Sequence, residues 1–174
     1  MTILHISDSI ELVSLEEGDS SVILNLVEFS RSQLGKYLYW VDDVRDEVSA
    51  HQYIVERISS GLLDSYWFKI KFNMQACGVF GIKSISAEDG VAEVGYWLSH
   101  RVHGNGIIAK IIAQLSSFLL GNTDAKIIEF RCLEKNIASI RVAKKSGAEL
   151  VGSIPSYMTV GNENQALQIY HLKI

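Results

Sequence analysis

Residues 92–120, AEVGYWLSHRVHGNGIIAKIIAQLSSFLL, constrain the fold more than any other stretch of the chain. In an extended conformation Ala92, Val94, Tyr96 and Leu98 fall on one face and Glu93, Gly95 and Trp97 on the other, the pattern of a strand. From Ile107 the period changes. Ile107, Ile111, Leu115 and Phe118 form a helical stripe flanked by Ile108, Ile112 and Leu119, with Lys110, Gln114 and Ser117 opposite. The two elements meet around Gly104 and Gly106, where missing side chains leave the first N–H groups of the helix free to face an anion. The helix macrodipole adds about half a positive charge at that end. A plain strand-to-helix turn also uses glycine, so spacing alone leaves an anion site and a simple bend both open. A P-loop would end in Gly-Lys-Ser or Gly-Lys-Thr, where this chain has Gly106-Ile107-Ile108. A dinucleotide fold would place such a turn early, and here it lies late.

The rest of the chain fits a single domain over residues 1–174. Apolar residues make up 48% and charged residues 21%, and no proline-, glycine- or serine-rich tract marks a linker. A net charge of −4 argues against binding nucleic acid through its phosphate backbone. The first residues lack the basic flank and apolar run of a secretion signal, and no run approaches the length of a membrane span, so a cytoplasmic protein without membrane attachment is expected. Cys77 and Cys132 form no C-x-x-C pair and read as buried thiols; no histidines have metal-ligand spacing, so no metal is expected.

Val22, Leu26, Phe29 and Gln33, beside Ile23, Val27 and Leu34, predict a helix begun by Asp19 or Ser20 and stopped by Gly35. Val48, His51, Val55, Ile58 and Leu62 predict a second, capped by Asp42 or Asp43, with Gly61 near its end. Between them Tyr37, Tyr39 and Trp40 form an aromatic connection that either lines a pocket or packs under the sheet. Strands are expected at Phe68, Ile70 and Phe72, at 76–83, at 126–132, and near 149–159 and 165–173; a turn is expected at Glu88-Asp89-Gly90 and a helix at 137–146. The order β-α-α-β-β-β-α-β-α-β-β is an α+β arrangement with a mixed sheet.

Two blocks of this sequence carry a family resemblance. Arg101-Val102-His103-Gly104-Asn105-Gly106 matches the Q/R-x-x-G-x-G/A signature of the GCN5-related N-acetyltransferases (GNAT), and AEVGYWL before it resembles the subgroup of RimJ/RimL-type ribosomal-protein N-terminal acetyltransferases. The run from Arg131 through Asn136, Ser139 and Lys145 to Gly147 is similar to that subgroup's strand, Asn-x-x-Ser and helix. The resemblance implies the GNAT acyl-CoA N-acyltransferase fold: a central mixed, mostly antiparallel sheet flanked by helices. It implies acetyl-CoA as co-substrate, with the pyrophosphate at Arg101, His103, Gly104, Asn105, Gly106 and Ile107. The pantetheine arm would pair with backbone groups at Trp97, Leu98 and Ser99, where two central strands splay. Asn136 would contact the pantetheine region and Ser139 the sulfur, as general acid. Tyr39 and Trp40 would help shape the acceptor site. A homodimer is compatible with the resemblance.

The chemistry so implied needs an uncharged amine, a donor to the thioester oxygen and an acid for the thiolate. An α-amine titrates near 8, about two units below a lysine, and so is deprotonated more readily. Glu93 is the base candidate on the central strand, directly or through water; its other reading is a carboxylate paired to a nearby cation. Asn136 also suits a helix cap, and Ser139, Arg101 and His103 have equally plain readings as early-helix and loop residues. Where the subgroup commonly has an aromatic residue after Gly147, this chain has Ala148, and Ala166 stands where an aspartate often precedes Tyr170 by four, which leaves the acceptor undetermined. Three classes remain open at this stage: an acetyltransferase acting on a protein N-terminus or on a small amine such as a polyamine or aminoglycoside, a non-catalytic acyl-CoA sensor, and a nucleotide-binding module.

Overall fold

The computed structural model describes residues 2–62 and 64–174. Strands β1 (Ile3–Ser7) and β2 (Ile10–Ser14) lead into helices α1 (Ser20–Leu34) and α2 (Glu47–Ile58). Strands β3 (Tyr66–Phe72), β4 (Gln75–Ile85) and β5 (Val91–Leu98) follow, then helix α3 (Ile107–Asn122), strand β6 (Ile127–Leu133) and helix α4 (Ile137–Lys145). Strands β7 (Glu149–Val160) and β8 (Glu163–Lys173) close the chain. All eight strands join one sheet in the order β1-β2-β3-β4-β5-β6-β8-β7, antiparallel throughout except for β5 and β6. The expected element order holds with one addition: the chain opens with a β1–β2 hairpin rather than one strand, turning at Asp8 and Ser9.

Each face of the sheet carries its own helices. Ile107, Ile111, Ile112 and Leu115 of α3, with Ile140 and Ala143 of α4, bury against Ile70, Phe80, Ile82, Val94 and Phe130. On the opposite face Ile23, Val27 and Leu34 of α1 and Ala50, Tyr53 and Ile54 of α2 bury against Val79 and Trp97. The alternation expected for β5 therefore holds, with Ala92 and Val94 toward α3 and Trp97 toward α1 and α2. No helix is long and apolar enough to cross a membrane among the described residues.

Both N-terminal helices depart from the expected registers. In α1 the buried stripe is Ile23, Val27, Ser30 and Leu34, while Phe29 is left 43% exposed. Phe29 is held elsewhere: its ring stacks on His100 at 4.7 Å, and the Arg101 guanidinium lies 3.3 Å from its centroid. Helix α2 starts at Glu47, capped by Asp46 and not by Asp42 or Asp43. Asp46 accepts from the Ser49 N–H at 2.8 Å, and the Ser49 hydroxyl answers at the Asp46 N–H, a reciprocal cap. Residues Tyr39–Asp42 form a short 3-10 turn, and the Arg31 guanidinium binds the carbonyls of Val41 and Val44, which keeps that segment out of the α-helix. Val48 and Leu62 consequently face outward, and the buried face is Ala50, Tyr53 and Ile54.

Candidate active site

Strands β5 and β6 part company halfway along. They pair in parallel from Val91↔Ile127 to Val94↔Phe130 and no further. Beyond that point β6 stays with β8 through Arg131↔Ile169 and Leu133↔Leu167, while Gly95 to Leu98 of β5 remain bonded to β4 alone. Backbone groups on the freed edge of β5 therefore have no strand partner. A cavity of about 500 Å³ opens there, with Gly95, Tyr96 and Trp97 on one lip and Arg131, Cys132 and Leu133 on the other. Asn136 and Ser139 of α4 close one end of it, and Tyr39, Trp40, Tyr53 and Arg57 another part of the wall.

The glycine turn lies between β5 and α3. Gly104 and Gly106 have φ of +84° and +67°, where a side chain is strained, and a Cβ on either would meet nothing within 4 Å. The glycines thus satisfy a left-handed backbone and leave open space in front of the helix. Gly106 is the N-cap of α3 and supplies no side-chain cap, so the first-turn N–H groups keep no partner from that source. Ile107 itself is 1% exposed; its side chain belongs to the core and only its backbone faces the turn. Asn105 Nδ2 donates to the Val102 carbonyl at 3.0 Å, and His103 Nε2 lies 3.2 Å from the Leu98 carbonyl, so both side chains brace the turn.

The expected pantetheine segment divides. The Trp97 indole is buried and donates from Nε1 to Tyr53 Oη at 2.9 Å, and its carbonyl is directed at Gly78 of β4 and not at the opening. Ser99 corrects the expectation: its N–H is taken by the Cys77 carbonyl at 2.7 Å, and its hydroxyl is paired with Ser30 at 3.1 Å. Ser99 anchors the loop to α1 and offers no free N–H. Leu98 packs into the α3 core, and its carbonyl is the one braced by His103.

Glu93 reaches the cavity as one link in a chain of charges. Lys83 Nζ donates to Glu93 Oε1 at 2.7 Å, and Arg131 Nε stands 3.8 Å from the other Glu93 oxygen. Arg131 donates in turn to Glu129 at 2.7 Å, and His171 Nε2 lies 2.8 Å from the second Glu129 oxygen. Strand register makes this possible, because Glu93 pairs with Glu129 and Glu129 with His171. The bulge that brings Lys83 inward lies in β4, between Ile82 and Ser84, so β5 runs unbroken and Glu93 shares the face of Trp97. Burial pushes the Glu129 carboxyl up, but His171 and Arg131 together hold it below its ordinary value.

At the α4 end, Asn136 caps the helix by accepting from the Ser139 N–H at 3.3 Å. Tyr96 faces Ser139 across the opening. Its hydroxyl is buried with no hydrogen-bond partner among the described residues; burial raises its pKa, with a further push from Cys132, and the Ser139 hydroxyl eases the shift without completing a bond. An orphaned polar atom at this position fits a ligand with a polar group. Cys132 lines the same cavity, and burial pushes its thiol up to about 12, the mark of an inert side chain.

Trp40 both packs and lines, with its ring 4.4 Å from Tyr53 and 5.8 Å from Trp97, while Tyr39 sits 75% exposed at the rim. Tyr96, Tyr53, Arg57, Lys83 and Arg131 are lining residues that sequence reasoning missed. For Tyr53 and Arg57 a signal existed: a helix capped at Asp46 places Ala50, Tyr53, Ile54 and Arg57 on one face. Among the described residues no group of His, Cys, Asp and Glu has the arrangement of a metal site.

Comparison with known proteins shows the family and the fold. The acetyltransferase (GNAT) domain profile matches residues 10–149. The ribosomal-protein-serine acetyltransferase of Escherichia coli (strain K12) is 23% identical over 152 residues, 87% of this chain and 85% of that protein. Among solved structures, RimL, a ribosomal L7/L12 alpha-N-protein acetyltransferase in complex with coenzyme A, superposes with a TM-score of 0.90 at 21% identity, covering 99% of this chain and 98% of that one. The microcin C7 self-immunity acetyltransferase MccE, in complex with acetyl-CoA and AMP, gives 0.89 at 20% identity over 97% of this chain and 94% of its own. At these identities the superpositions establish the fold.

Proposed function

The chain belongs to the GNAT acetyltransferase family and is an acetyl-CoA-dependent acetyltransferase, and from that premise we propose that it acetylates a primary amine, most favourably a protein N-terminal α-amine of the ribosomal-protein type, by direct attack in a ternary complex. The observation that carries this reading is the divergence of β5 from β6, which opens a cavity between the parted strands and the aromatic wall of Tyr39, Trp40 and Tyr53. The turn at Gly104 and Gly106, with Arg101, His103 and Asn105 around it, suits a diphosphate, because it combines uncapped helix N–H groups with space that no Cβ fills. The freed β5 edge beyond Val94 suits the amide groups of a pantetheine arm, and Asn136 lines the same cavity. Residues 1–174 act in this reading as one domain.

The chemistry needs a C–N bond formed at the thioester carbonyl, a C–S bond broken, one proton taken from the amine and one given to the thiolate. Ser139 is the proton donor in this account, supported by its position at the cavity end and by the unsatisfied Tyr96 hydroxyl that faces it. Glu93 attracts the incoming amine and takes its proton through water. Lys83 Nζ at 2.7 Å and Arg131 Nε at 3.8 Å already stand against the two Glu93 oxygens, which suits a water-mediated relay better than direct contact with the amine. Three cations and two carboxylates line the cavity, Arg57, Lys83 and Arg131 against Glu56 and Glu93. That balance disfavours polycationic acceptors such as polyamines and aminoglycosides.

A screen of free-CoA release with N-terminal peptides, polyamines, aminoglycosides and amino acids tests the reading. Turnover with peptides, lost in a peptide blocked at its α-amine, is expected. Binding of acetyl-CoA without turnover on any amine would favour the non-catalytic sensor instead.

A further inference from the structure

Arg57 is the one cation lining the cavity that has no carboxylate partner among the described residues. Lys83 is paired with Glu93, and Arg131 with Glu129 and Glu93. Arg57 instead lies against aromatic faces. Its guanidinium carbon is 3.4 Å from the Tyr53 centroid and 5.4 Å from those of both Trp40 and Trp67. Its hydrogen bonding is incomplete. Nη1 donates to the Tyr53 carbonyl at 2.7 Å, while Nε is buried and makes no bond. The neighbouring Glu56 carboxylate accepts from Gln52 Nε2 at 3.0 Å and forms no ion pair with Arg57.

Aromatic faces stabilise a guanidinium without neutralising it. A carboxylate partner would cancel the charge; three rings hold it in place and leave it whole. A partly desolvated, oriented cation whose Nη2 makes no bond among the described residues is poised for an anion. Three aromatic residues from three elements, Trp40 before α2, Tyr53 on α2 and Trp67 on β3, converge to build this arrangement, more than a solvated surface arginine requires.

Resting on the acetyltransferase reading above, we propose that Arg57 anchors a carboxylate of the acceptor, so that the enzyme selects amines carrying an acidic group a short distance from the reacting nitrogen. The carboxylate comes either from an aspartate or glutamate near a peptide N-terminus or from the free α-carboxylate of an amino acid. Trp40 and Trp67 flank the chain that joins amine to carboxylate.

The test compares wild-type protein on matched acceptors: peptides with Asp or Glu at the second or third position against the same peptides with Asn or Gln, and free amino acids against their amides. The expected result is a tenfold or greater preference in kcat/KM for the acidic member, carried by KM and weakened by salt. Whichever pair shows the preference identifies the source of the carboxylate. Arg57→Gln should erase the preference by raising KM about tenfold more for the acidic acceptor than for the neutral one, a contrast set by the loss of a charged hydrogen bond; Arg57→Lys should retain part of it. Turnover without any acid-over-amide preference in the wild type overturns the proposal, and so does an Arg57→Gln effect that falls equally on both acceptors or on KM for acetyl-CoA. The wild-type ratio decides the matter even if a variant is poorly folded. Absence of turnover with every amine would instead count against the acetyltransferase reading itself.

Discussion

Gly106→Ala separates the backbone role of the glycine turn from its ligand role. The substitution places a side chain at φ of +67°, a left-handed conformation that costs a non-glycine residue about 1–2 kcal/mol. No steric contribution is added, since the new Cβ meets nothing within 4 Å. In a chain of this size that strain lowers Tm by roughly 2–8 °C. Gly121→Ala is the matched control: Gly121 lies in the last turn of α3, its Cβ also meets nothing, and alanine there gains up to about 1 kcal/mol of helix propensity, so its Tm should not fall. Acetyl-CoA then distinguishes the two. In Gly106→Ala the new methyl stands in the open space before the first N–H groups, and a Kd at least tenfold weaker is expected. At saturating ligand that removes about 1.4 kcal/mol or more of ligand-induced stabilisation beyond the strain. Differential scanning fluorimetry with and without acetyl-CoA, backed by calorimetric Kd values, measures both effects. If Gly106→Ala loses stability as expected but keeps the full acetyl-CoA shift, the turn does not hold the diphosphate and the reasoning fails.

Two further perturbations address the core beneath the site. Burial raises the thiols of Cys77 and Cys132 to about 11 and about 12, so at pH 8 the native protein should react with iodoacetamide at least about a hundredfold more slowly than the unfolded chain. The folded state keeps those protons, so stability is full below about pH 8.5 and declines as pH rises toward the folded values, by about 1.4 kcal/mol per unit for each thiol. Urea midpoints between pH 8 and 9.5 should fall, less steeply in Cys132→Ala; rapid alkylation or a flat profile would show the thiols are not buried as described. Tyr53→Phe removes the acceptor of the buried Trp97 Nε1–H and should destabilise the protein by about 1–3 kcal/mol in denaturant melts, whereas a neutral effect would mean the indole finds another partner.

The glycine turn was readable in the sequence because local patterns specify it: the period changes from two to 3.6 across Gly104 and Gly106, and both elements lie where that change puts them. Helix α2 was harder, because Asp42, Asp43 and Asp46 are all plausible caps in one dimension. The choice falls to Asp46 through Ser49, and through Arg31 binding the carbonyls of Val41 and Val44 from another helix. That one shift hid Arg57, whose surroundings come from Trp40 and Trp67, distant in sequence. The setting of Glu93 depends on the β5–β6 register that places it beside Glu129, and the loss of the Ser99 N–H depends on the β4 strand supplying the Cys77 carbonyl. Pairings of that kind are tertiary and leave no local trace.

The account rests on acetyl-CoA spanning the glycine turn and the β5–β6 opening. Backbone and side-chain NMR shifts recorded while acetyl-CoA is added to isotopically labelled protein test this most directly. The account predicts the largest changes at the amides of Gly104, Gly106, Ile107 and Ile108 and at Tyr96, with Asn136 and Ser139 moving at the same ligand concentrations and the β1–β2 hairpin unaffected. Saturable binding that leaves the Gly106 and Ile107 amides unmoved would contradict it.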